Sequence, residues 1–239
     1  MGSIGVRDDQ LPAGAGTAGE VVPLPAASVI LLRDEPLEVL MIRRHERSSF
    51  VPNAWVFPGG TLDHQDRVSG GGEELTVMRI TALRELFEET GIWLGAPLED
   101  AEAKRKDLLT GTCAVGPLLE ASPVDLERLV LTSRWITPVG VPKRFDTWFF
   151  LATTGRDAVA TAENTEAVET TWIAPAEALA RHEAGDFPMV FPTLRNLEAI
   201  APVASAAALV ESRRGCEVHP LLPLLVIEEG KKKIVLPEP

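Results

Sequence analysis

The sequence of 239 residues contains no tyrosine, only two cysteines and no long apolar run. Without tyrosine, aromatic stacking on a ligand must come from tryptophan or phenylalanine. Cys113 and Cys216 lack the spacing of a zinc or redox motif, which predicts two ordinary reduced thiols. No stretch approaches the roughly 20 apolar residues that a membrane-spanning helix needs, and residues 1–20 lack the basic and apolar regions of a secretion signal. We therefore expect a cytoplasmic protein without a membrane partner.

Positive charge is also scarce, because 23 Lys and Arg residues stand against 35 Asp and Glu residues, for a net charge of -12. An acidic surface disfavours long nucleic acid, whose non-specific binding needs basic side chains to displace counterions. A small anionic substrate can still bind through a divalent metal and a few local arginines. The composition, 45% hydrophobic and 24% charged, is typical of a folded protein, and a chain of this length can bury a sizeable core.

The order of apolar patterns predicts one α/β domain of the α+β type, with a mixed β-sheet sandwiched between helices. We place this domain at residues 23–215, after a flexible N-terminal arm at 1–22 that is rich in Gly, Ala and Asp. Two insertions interrupt the domain, an expanded loop at 63–72 and a helical insert at 97–131. The C-terminal tail, 216–239, has two apolar runs that suggest a hairpin, and its apolar edge could pair across a homodimer.

Periodicity assigns the individual elements. Strands are predicted at 26–32, 37–42, 55–57, 134–137, 147–152 and 169–173. Helices are predicted at 73–90, 99–109, 123–131, 174–181 and 193–212, the last interrupted near Pro202.

The predicted helix at 73–90 carries an unusual group of acids. Glu85, Glu88 and Glu89 are spaced i, i+3 and i+4, so their carboxylates project from one side of the helix. The opposite side is predicted to pack, through the apolar residues Val77, Ile80, Leu83 and Phe87. Like charges at this spacing repel, and a divalent cation would turn that repulsion into binding. A solvated acidic helix face would show the same local pattern.

The wider pattern around these acids resembles the Nudix family. The Nudix box is written G-x5-E-x7-R-E-U-x-E-E-x-G-U, in which U is a bulky apolar residue. Residues 84–92 (RELFEETGI) match every fixed position of its second half, from Arg84 to Gly91 and Ile92. Upstream, residues 57–60 (FPGG) match the turn that usually opens the box. The resemblance implies a Nudix fold and hydrolysis of diphosphate compounds.

The first half of the box departs from this pattern. Gly60 precedes Arg84 by 24 positions rather than 14, so about ten residues are inserted. The expected glutamate is missing, and Asp66, Glu73 or Glu74 could replace it. Gly70 has the right distance from Arg84, but lacks the surrounding turn and is followed by Thr76 where the glutamate should stand.

The resemblance also implies roles for particular residues. Glu88 and Glu89 would be the main ligands of Mg²⁺ or Mn²⁺, Glu85 a further ligand or the base, and the carbonyl near Gly60 part of the metal shell. Arg84 would orient the carboxylates or form an ordinary helix ion pair. A further acid often precedes a Trp-Ile/Val-x-Pro segment in this family. That position favours Glu166 over Glu169 as an extra ligand or base.

Three arginines are candidates for binding substrate phosphate. Arg43 and Arg44 lie beside the predicted site turn, and Arg144 precedes a strand; each could instead be a surface arginine. Several segments resemble the branch of peroxisomal coenzyme A diphosphatases and their bacterial relatives, among them 39–44, 52–63, 135–138, 144–147 and 191–194. Coenzyme A-like or ADP-linked compounds are therefore candidate substrates, beside nucleoside diphosphate sugars, dinucleoside polyphosphates and oxidised nucleotides. Five tryptophans could stack a base, namely Trp55, Trp93, Trp135, Trp148 and Trp172.

Three classes of function follow from this interpretation. A metal-dependent diphosphatase is favoured. A Nudix-fold module that senses a nucleotide without cleaving it usually loses box acids, whereas Glu85, Glu88 and Glu89 are all present. A scaffold that uses the insert and the tail to form a dimer is the third.

Overall fold

The computed structural model describes residues 3–5, 11, 14–16, 19–48, 50–228 and 231–236. Its strands are β1 (Ser3–Gly5), β2 (Leu24–Arg33), β3 (Glu38–Arg44), β4 (Trp55–Val56), β5 (Gly59–Thr61), β6 (Val130–Ile136), β7 (Phe145–Thr153), β8 (Ala167–Ile173), β9 (Pro220–Leu221), β10 (Leu224–Glu228) and β11 (Lys231–Val235). Its helices are α1 (His64–Ser69), α2 (Glu74–Thr90), α3 (Ala101–Leu109), α4 (Val115–Ala121), α5 (Pro175–Ala184), α6 (Phe191–Ile200) and α7 (Ala206–Arg213), with a short 3-10 turn at Leu126–Arg128.

The main sheet has eight strands and is mixed. Its path is β4-β3-β2-β7-β6-β9, while β5 pairs with β2 and β8 pairs with β3. Strands β2 and β7 run parallel, whereas β2 is antiparallel to β3 and to β5. Strand β2 is buried almost throughout, as expected for a strand covered on both faces.

The two faces of β2 enter different hydrophobic clusters. Ile30 and Leu32 pack on the side of α5, α6 and α7, whereas Val29 and Leu31 pack against α2. Since successive side chains of a strand point to opposite faces, this alternation makes a sheet between two layers of helices. The predicted fold, a mixed sheet sandwiched between helices, is therefore confirmed.

The predicted apolar face of α2 is split between two contacts. Leu83 packs on the sheet, but Ile80 and Phe87 pack outward against α3 and α4 of the insert. Helix α2 is consequently buried along most of its length rather than along one stripe. The single-faced prediction was wrong because the insert covers the side that would otherwise be solvated.

The insert at 97–131 contains two α-helices, but the second was misplaced. A helix was predicted at 123–131, where the structure has a 3-10 turn followed by the start of β6. The helix lies earlier, at Val115–Ala121, where Val115 and Leu118 pack under α2. The expanded loop at 63–72 also contains a helix, α1, whose N-terminal cap is Asp63.

The two ends of the chain meet in a second sheet of order β1-β11-β10. Strands β10 and β11 are antiparallel, which confirms the predicted C-terminal hairpin, although its turn lies outside the described residues. Ser3–Gly5 pairs with β11, and Leu11 and Ala15 belong to the main core. For these residues the predicted flexible arm at 1–22 is corrected, and the other part of that prediction falls largely on residues that are not described. No helix in the described part of the chain is both long and apolar enough to cross a bilayer.

Candidate active site

The site begins at the turn around Gly59 and Gly60, which is held against the sheet. Gly59 and Gly60 pair with Ser28 and Ala27 of β2, and the Ser28 hydroxyl donates to the Pro58 carbonyl at 2.8 Å. A Cβ on Gly60 would lie 2.5 Å from Glu85 Oε1. Only glycine therefore lets the turn approach the carboxylate this closely.

Helix α2 brings the three box acids to this turn. The Glu73 side chain accepts hydrogen bonds from the Leu75 and Thr76 amides and caps the first turn of the helix. Gly91 caps the C-terminal end of the helix in the left-handed region at φ 74°. The Glu89 carboxylate accepts a hydrogen bond of 2.7 Å from the Gly59 amide.

Arg84 holds the acids through a buried network. Its Nε lies 2.9 Å from Asp66 Oδ1, and its Nη1 lies 3.0 Å from Glu85 and 2.7 Å from Glu88. Its Nη2 also donates to the Thr61 carbonyl at 2.9 Å. Arg84 therefore orients the carboxylates and ties α2 to β5.

Asp66 occupies the place of the missing box glutamate. It follows Gly60 by six positions, the spacing of the first part of the box, so the insertion lies after Asp66 rather than before it. Its side chain is completely buried and accepts from Arg84, from the Thr81 hydroxyl and from the Asp63 amide. Of the other two candidates, Glu73 caps α2 and Glu74 lies in its first turn.

Burial dominates the electrostatics of the three acids. It raises the pKa of Glu85 to about 8, with Glu88 and Glu166 adding repulsion and Arg84 opposing it. Burial also raises the pKa of Glu88. The pKa of Glu89 is raised well above its usual value by burial and by the charge of Glu85, against the Gly59 hydrogen bond. Burial opposes the charge on Arg84, but its acidic neighbours outweigh this effect and raise its pKa.

The two candidate acids outside the box, Glu166 and Glu169, lie in different surroundings. The charge of Glu166 raises the pKa of Glu85, Glu88 and Glu89, which places this exposed glutamate near all three. Its carbonyl accepts a hydrogen bond from the His45 amide. Glu169 instead pairs with Arg43 on the neighbouring strand at 2.9 Å. Glu169 is thus committed to Arg43, and the role of Glu166 as an extra ligand or base stays a prediction.

Of the three candidate phosphate-binding arginines, Arg44 is near the acids and forms no ion pair with a carboxylate in the described part of the chain. It donates to the Ser48 hydroxyl, and its positive charge acts on Glu89. Arg43 is engaged by Glu169. Arg144 is 4% exposed and donates to the Thr137 and Val21 carbonyls, which contradicts its assignment to substrate phosphate. Arg144 fixes the entry of β7 instead.

One arginine of the insert is important for the site and was missed. Arg105 of α3 donates to the Glu88 carbonyl at 2.8 Å, and also to the hydroxyl and carbonyl of Thr161. It thereby satisfies a carbonyl in the last turn of α2 and holds the segment that leads to Glu166. Its position in a charged, amphipathic stretch gives no local signal of this contact.

The donor set of the site fits a hard divalent cation. Asp66, Glu85 and Glu88 bring three carboxylates around one buried guanidinium, Glu89 adds a fourth at the Gly59 amide, and oxygen is the donor that Mg²⁺ and Mn²⁺ prefer. Within the described ranges no three acid, histidine or cysteine side chains already converge as a ligand set. Glu88 accepts a hydrogen bond from Arg84, and Glu89 accepts one from the Gly59 amide. Both carboxylates would therefore have to turn toward a cation in order to bind it.

A cavity of about 160 Å³ opens beside the Gly59–Gly60 turn. Its lining includes Arg44, both glycines and several aromatic rings, among them Phe145 and Phe149. Of the five tryptophans proposed for base stacking, Trp135 lines this cavity and the others do not. Trp55 stacks on Phe187, and Trp148 and Trp172 lie under arginines.

Comparison with known proteins shows which family the chain is similar to. The family model described as the NUDIX domain matches residues 22–191. A protein of Caenorhabditis elegans that carries the name nudix hydrolase 7 is 31% identical over 185 residues, which cover 74% of this chain and 60% of that protein. The acyl-coenzyme A diphosphatase NUDT19 of Xenopus laevis is 26% identical over 249 residues, which cover 75% of this chain and 65% of that protein. The chain therefore spans less than two thirds of the length of these two relatives.

A solved structure shows the same architecture. The crystal structure of a NUDIX hydrolase from Alicyclobacillus acidocaldarius aligns with a TM-score of 0.74 at 27% sequence identity. The alignment covers 81% of this chain and 97% of that one.

Proposed function

The chain belongs to the Nudix family, and we propose that it hydrolyses the diphosphate bond of a nucleoside diphosphate linked to another group, with the help of Mg²⁺ or Mn²⁺. The observation that carries this proposal is the group of buried box acids on α2, pressed against the Gly59–Gly60 turn. A buried cluster with more negative than positive charge needs a cation to keep its carboxylates ionised.

Glu85, Glu88 and Glu89, with the carbonyl near Gly60, are the residues that would hold the metal. When bound, the metal would offset the charge of the diphosphate and strengthen water as a nucleophile. Arg84 and Asp66 do not contact substrate in this proposal. They keep Glu85 and Glu88 in place through the network described above.

Arg44 and Glu166 are the proposed substrate-side residues. Arg44 would bind a phosphate oxygen, because it lines the cavity and its charge acts on Glu89. Glu166 would accept the proton of the attacking water, since it is exposed and near the box acids. Water oxygen then bonds to one phosphorus, the bond from that phosphorus to the bridging oxygen breaks, and each phosphate leaves on its own half of the substrate.

Coenzyme A compounds are the substrates that we favour. Two relatives carry the name acyl-coenzyme A diphosphatase, one from Xenopus laevis and one from Gallus gallus, each 26% identical to this chain. The mostly apolar lining of the cavity beside the site suits a substrate with an apolar part. Nucleoside diphosphate sugars, dinucleoside polyphosphates and oxidised nucleotides are the alternatives. A cytoplasmic location and a homodimer stay predictions.

A panel assay tests the proposed reaction. The protein is incubated with Mg²⁺ or Mn²⁺ and coenzyme A, an acyl-coenzyme A, ADP-ribose, UDP-glucose or a dinucleoside tetraphosphate, and the products are weighed by mass spectrometry. We expect phosphopantetheine products from the coenzyme A compounds. Binding of a nucleotide without turnover of any compound would favour a sensing module instead. A matched assay with Glu88→Gln shows whether turnover depends on α2.

A further inference from the structure

The cavity beside the catalytic turn has a lining suited to an apolar group. Among the described residues that line it there is no carboxylate and no carboxamide. The lining includes four hydroxyls: Ser28 donates to the Pro58 carbonyl, Thr137 accepts from the Phe145 amide, and Thr147 and Thr193 add two more. Recognition of a base or sugar edge requires buried hydrogen-bonding partners, because unpaired polar groups are costly to bury. The lining is mostly apolar and offers few such partners, so it suits an uncharged, mostly apolar group better than a base or a sugar.

The same cavity is continuous with the catalytic groups. Gly59 and Gly60 line it, and these residues contact Glu89 and Glu85. Arg44 lines it as well, and its charge acts on Glu89. A substrate whose diphosphate lies near Arg44 can therefore place a neighbouring group in the cavity.

Parts of the wall come from outside the matched family domain at residues 22–191. Leu11 precedes this region, whereas Pro223 and Ile234 follow it, and all three line the cavity. Ile234 is 2% exposed and packs in the main core. It lies in β11, between its partners Ile4 of β1 and Leu225 of β10. Through Ile234, the sheet formed by the two chain ends thus supplies part of the wall.

We propose that this terminal sheet sets the size of the apolar group that accompanies the diphosphate, with Ile234 as a specificity-determining residue. The cavity volume is about 160 Å³. An apolar cavity of about 150 Å³ accepts a ligand the size of benzene. The group selected is therefore compact, such as a short or branched acyl chain. The inference rests on the proposed function for its reaction, but the binding step can be tested separately.

The test uses acyl-pantetheine thioesters from acetyl to dodecanoyl, which carry the acyl group without a diphosphate. Their dissociation constants are measured by calorimetry with wild-type protein, Ile234→Ala, Ile234→Trp and the milder Ile234→Val. Ile227→Ala is the matched control, because Ile227 lies in β10 of the same sheet but is 53% exposed and does not line the cavity. Hydrolysis of the corresponding acyl-coenzyme A series is measured in parallel with Mg²⁺.

We expect wild-type protein to prefer short chains and Ile234→Ala to move the preference toward longer ones. The change should reach about tenfold, since one methylene in an apolar pocket alters discrimination by roughly that factor or more. Ile234→Val should move it in the same direction but less, and Ile234→Trp should favour the shortest chains. If Ile234→Ala is not folded by circular dichroism, the Val and Trp variants decide the outcome.

An unchanged chain-length profile in the folded Ile234 variants, or an equal change in Ile227→Ala, would overturn the inference. Failure of the thioesters to bind the wild-type protein would overturn it as well. If the thioesters bind with the expected dependence on Ile234 but no coenzyme A compound is cleaved, the apolar site stands and the proposed substrate fails. The two failures are thus distinguishable.

Discussion

Glu85 and Glu89 are buried carboxylates in a cluster with more negative than positive charge, since Arg84 is shared by Asp66, Glu85 and Glu88. They are 9% and 5% exposed, and burial is the main cause of their raised pKa values. A charged group in this state costs stability, and in a catalytic site that cost is tolerated for function. The same carboxylates that bind the metal should therefore lower the stability of the metal-free protein.

This opposition predicts a stability that depends on pH. The pKa of Glu85 in the folded, metal-free protein is about 8, above its ordinary value of 4.5. The folded state therefore binds the proton of Glu85 more tightly than the unfolded state does. The stability gained from this proton is complete below about pH 4.5 and is lost as the pH rises through about 8. The loss should be on the order of a few kcal/mol, because each tenfold change in proton affinity is worth about 1.4 kcal/mol.

Urea unfolding in EDTA between pH 5 and pH 9 measures this dependence. Glu85→Gln should flatten the decline and unfold at a higher urea concentration than wild type at pH 8, while its hydrolytic rate falls. Glu177→Gln, an exposed position in the first turn of α5, is the control. A wild-type free energy of unfolding that is constant over this range would contradict the electrostatic description of Glu85.

The Asp66–Arg84 pair is predicted to be essential for stability. Both residues are buried, and Asp66 also accepts from Thr81 and from the Asp63 amide. Asp66→Ala should lower the free energy of unfolding by about 3 kcal/mol or more, because it leaves the buried donors of Arg84, Thr81 and the Asp63 amide without their acceptor. Asp146→Ala breaks the ion pair between Arg134 and Asp146, in which the side chains are 24% and 20% exposed. This change should lower the free energy of unfolding by about 1 kcal/mol or less. Equal losses by urea unfolding would count against the structural role of Asp66.

Two single residues, Asp66 and Arg144, differ in whether the sequence alone could have assigned their roles. Asp66 lies at the box spacing from Gly60, and aspartate carries the same acceptor chemistry as glutamate, so counting forward from Gly60 would have selected it. Arg144 could not have been assigned in this way. Its engagement with the Thr137 and Val21 carbonyls depends on how β2 and β7 pair, which no local pattern records.

At the scale of elements, the insert is a structural partner of the catalytic helix. Helices α3 and α4 cover the outer side of α2, and Arg105 ties α3 to the last turn of α2 and to Thr161. Thr161 in turn donates its amide to the carbonyl of Thr90, the last residue of α2. The insert therefore fixes the end of the helix that carries Glu88 and Glu89.

Arg105→Gln should consequently reduce turnover while the protein stays folded. We expect kcat to fall about tenfold or more with little change in KM, as for other groups that orient catalytic ligands. Lys106→Gln is the matched control, because Lys106 is the exposed neighbour of Arg105 on the same helix. Steady-state kinetics with Mg²⁺ measure both variants, and identical kcat values would show that the insert only adds stability.

Periodicity predicted the elements whose pattern is set locally. The buried run of β2 and the extent of α2 are examples, because the strand predicted at 26–32 lies within Leu24–Arg33 and the helix predicted at 73–90 is observed at Glu74–Thr90. The second insert helix was misplaced because 123–131 has an amphipathic pattern, while tertiary packing selects Val115 and Leu118 instead. In the insert, contact with α2 decides what the local sequence leaves open.

At the scale of the whole molecule, the two ends of the chain pair with each other in one sheet. Ser3–Gly5 pairs with the last strand, although nearly the whole sequence separates them. Such pairing has no local signal, which is why an arm and a separate tail were predicted. The hairpin was predictable from its two apolar runs, but its position beside the cavity at the Gly59–Gly60 turn was not.

The central claim is that α2 holds the metal that cleaves a diphosphate bond. The most direct measurement is the rate of coenzyme A cleavage with Mg²⁺ by wild-type protein, Glu89→Gln and Glu177→Gln, each with and without EDTA. We predict that EDTA abolishes wild-type cleavage, that Glu89→Gln is slower by at least about 100-fold, and that Glu177→Gln matches wild type. Cleavage by folded Glu89→Gln at the wild-type rate, or a wild-type rate that is unchanged by EDTA, would contradict the claim.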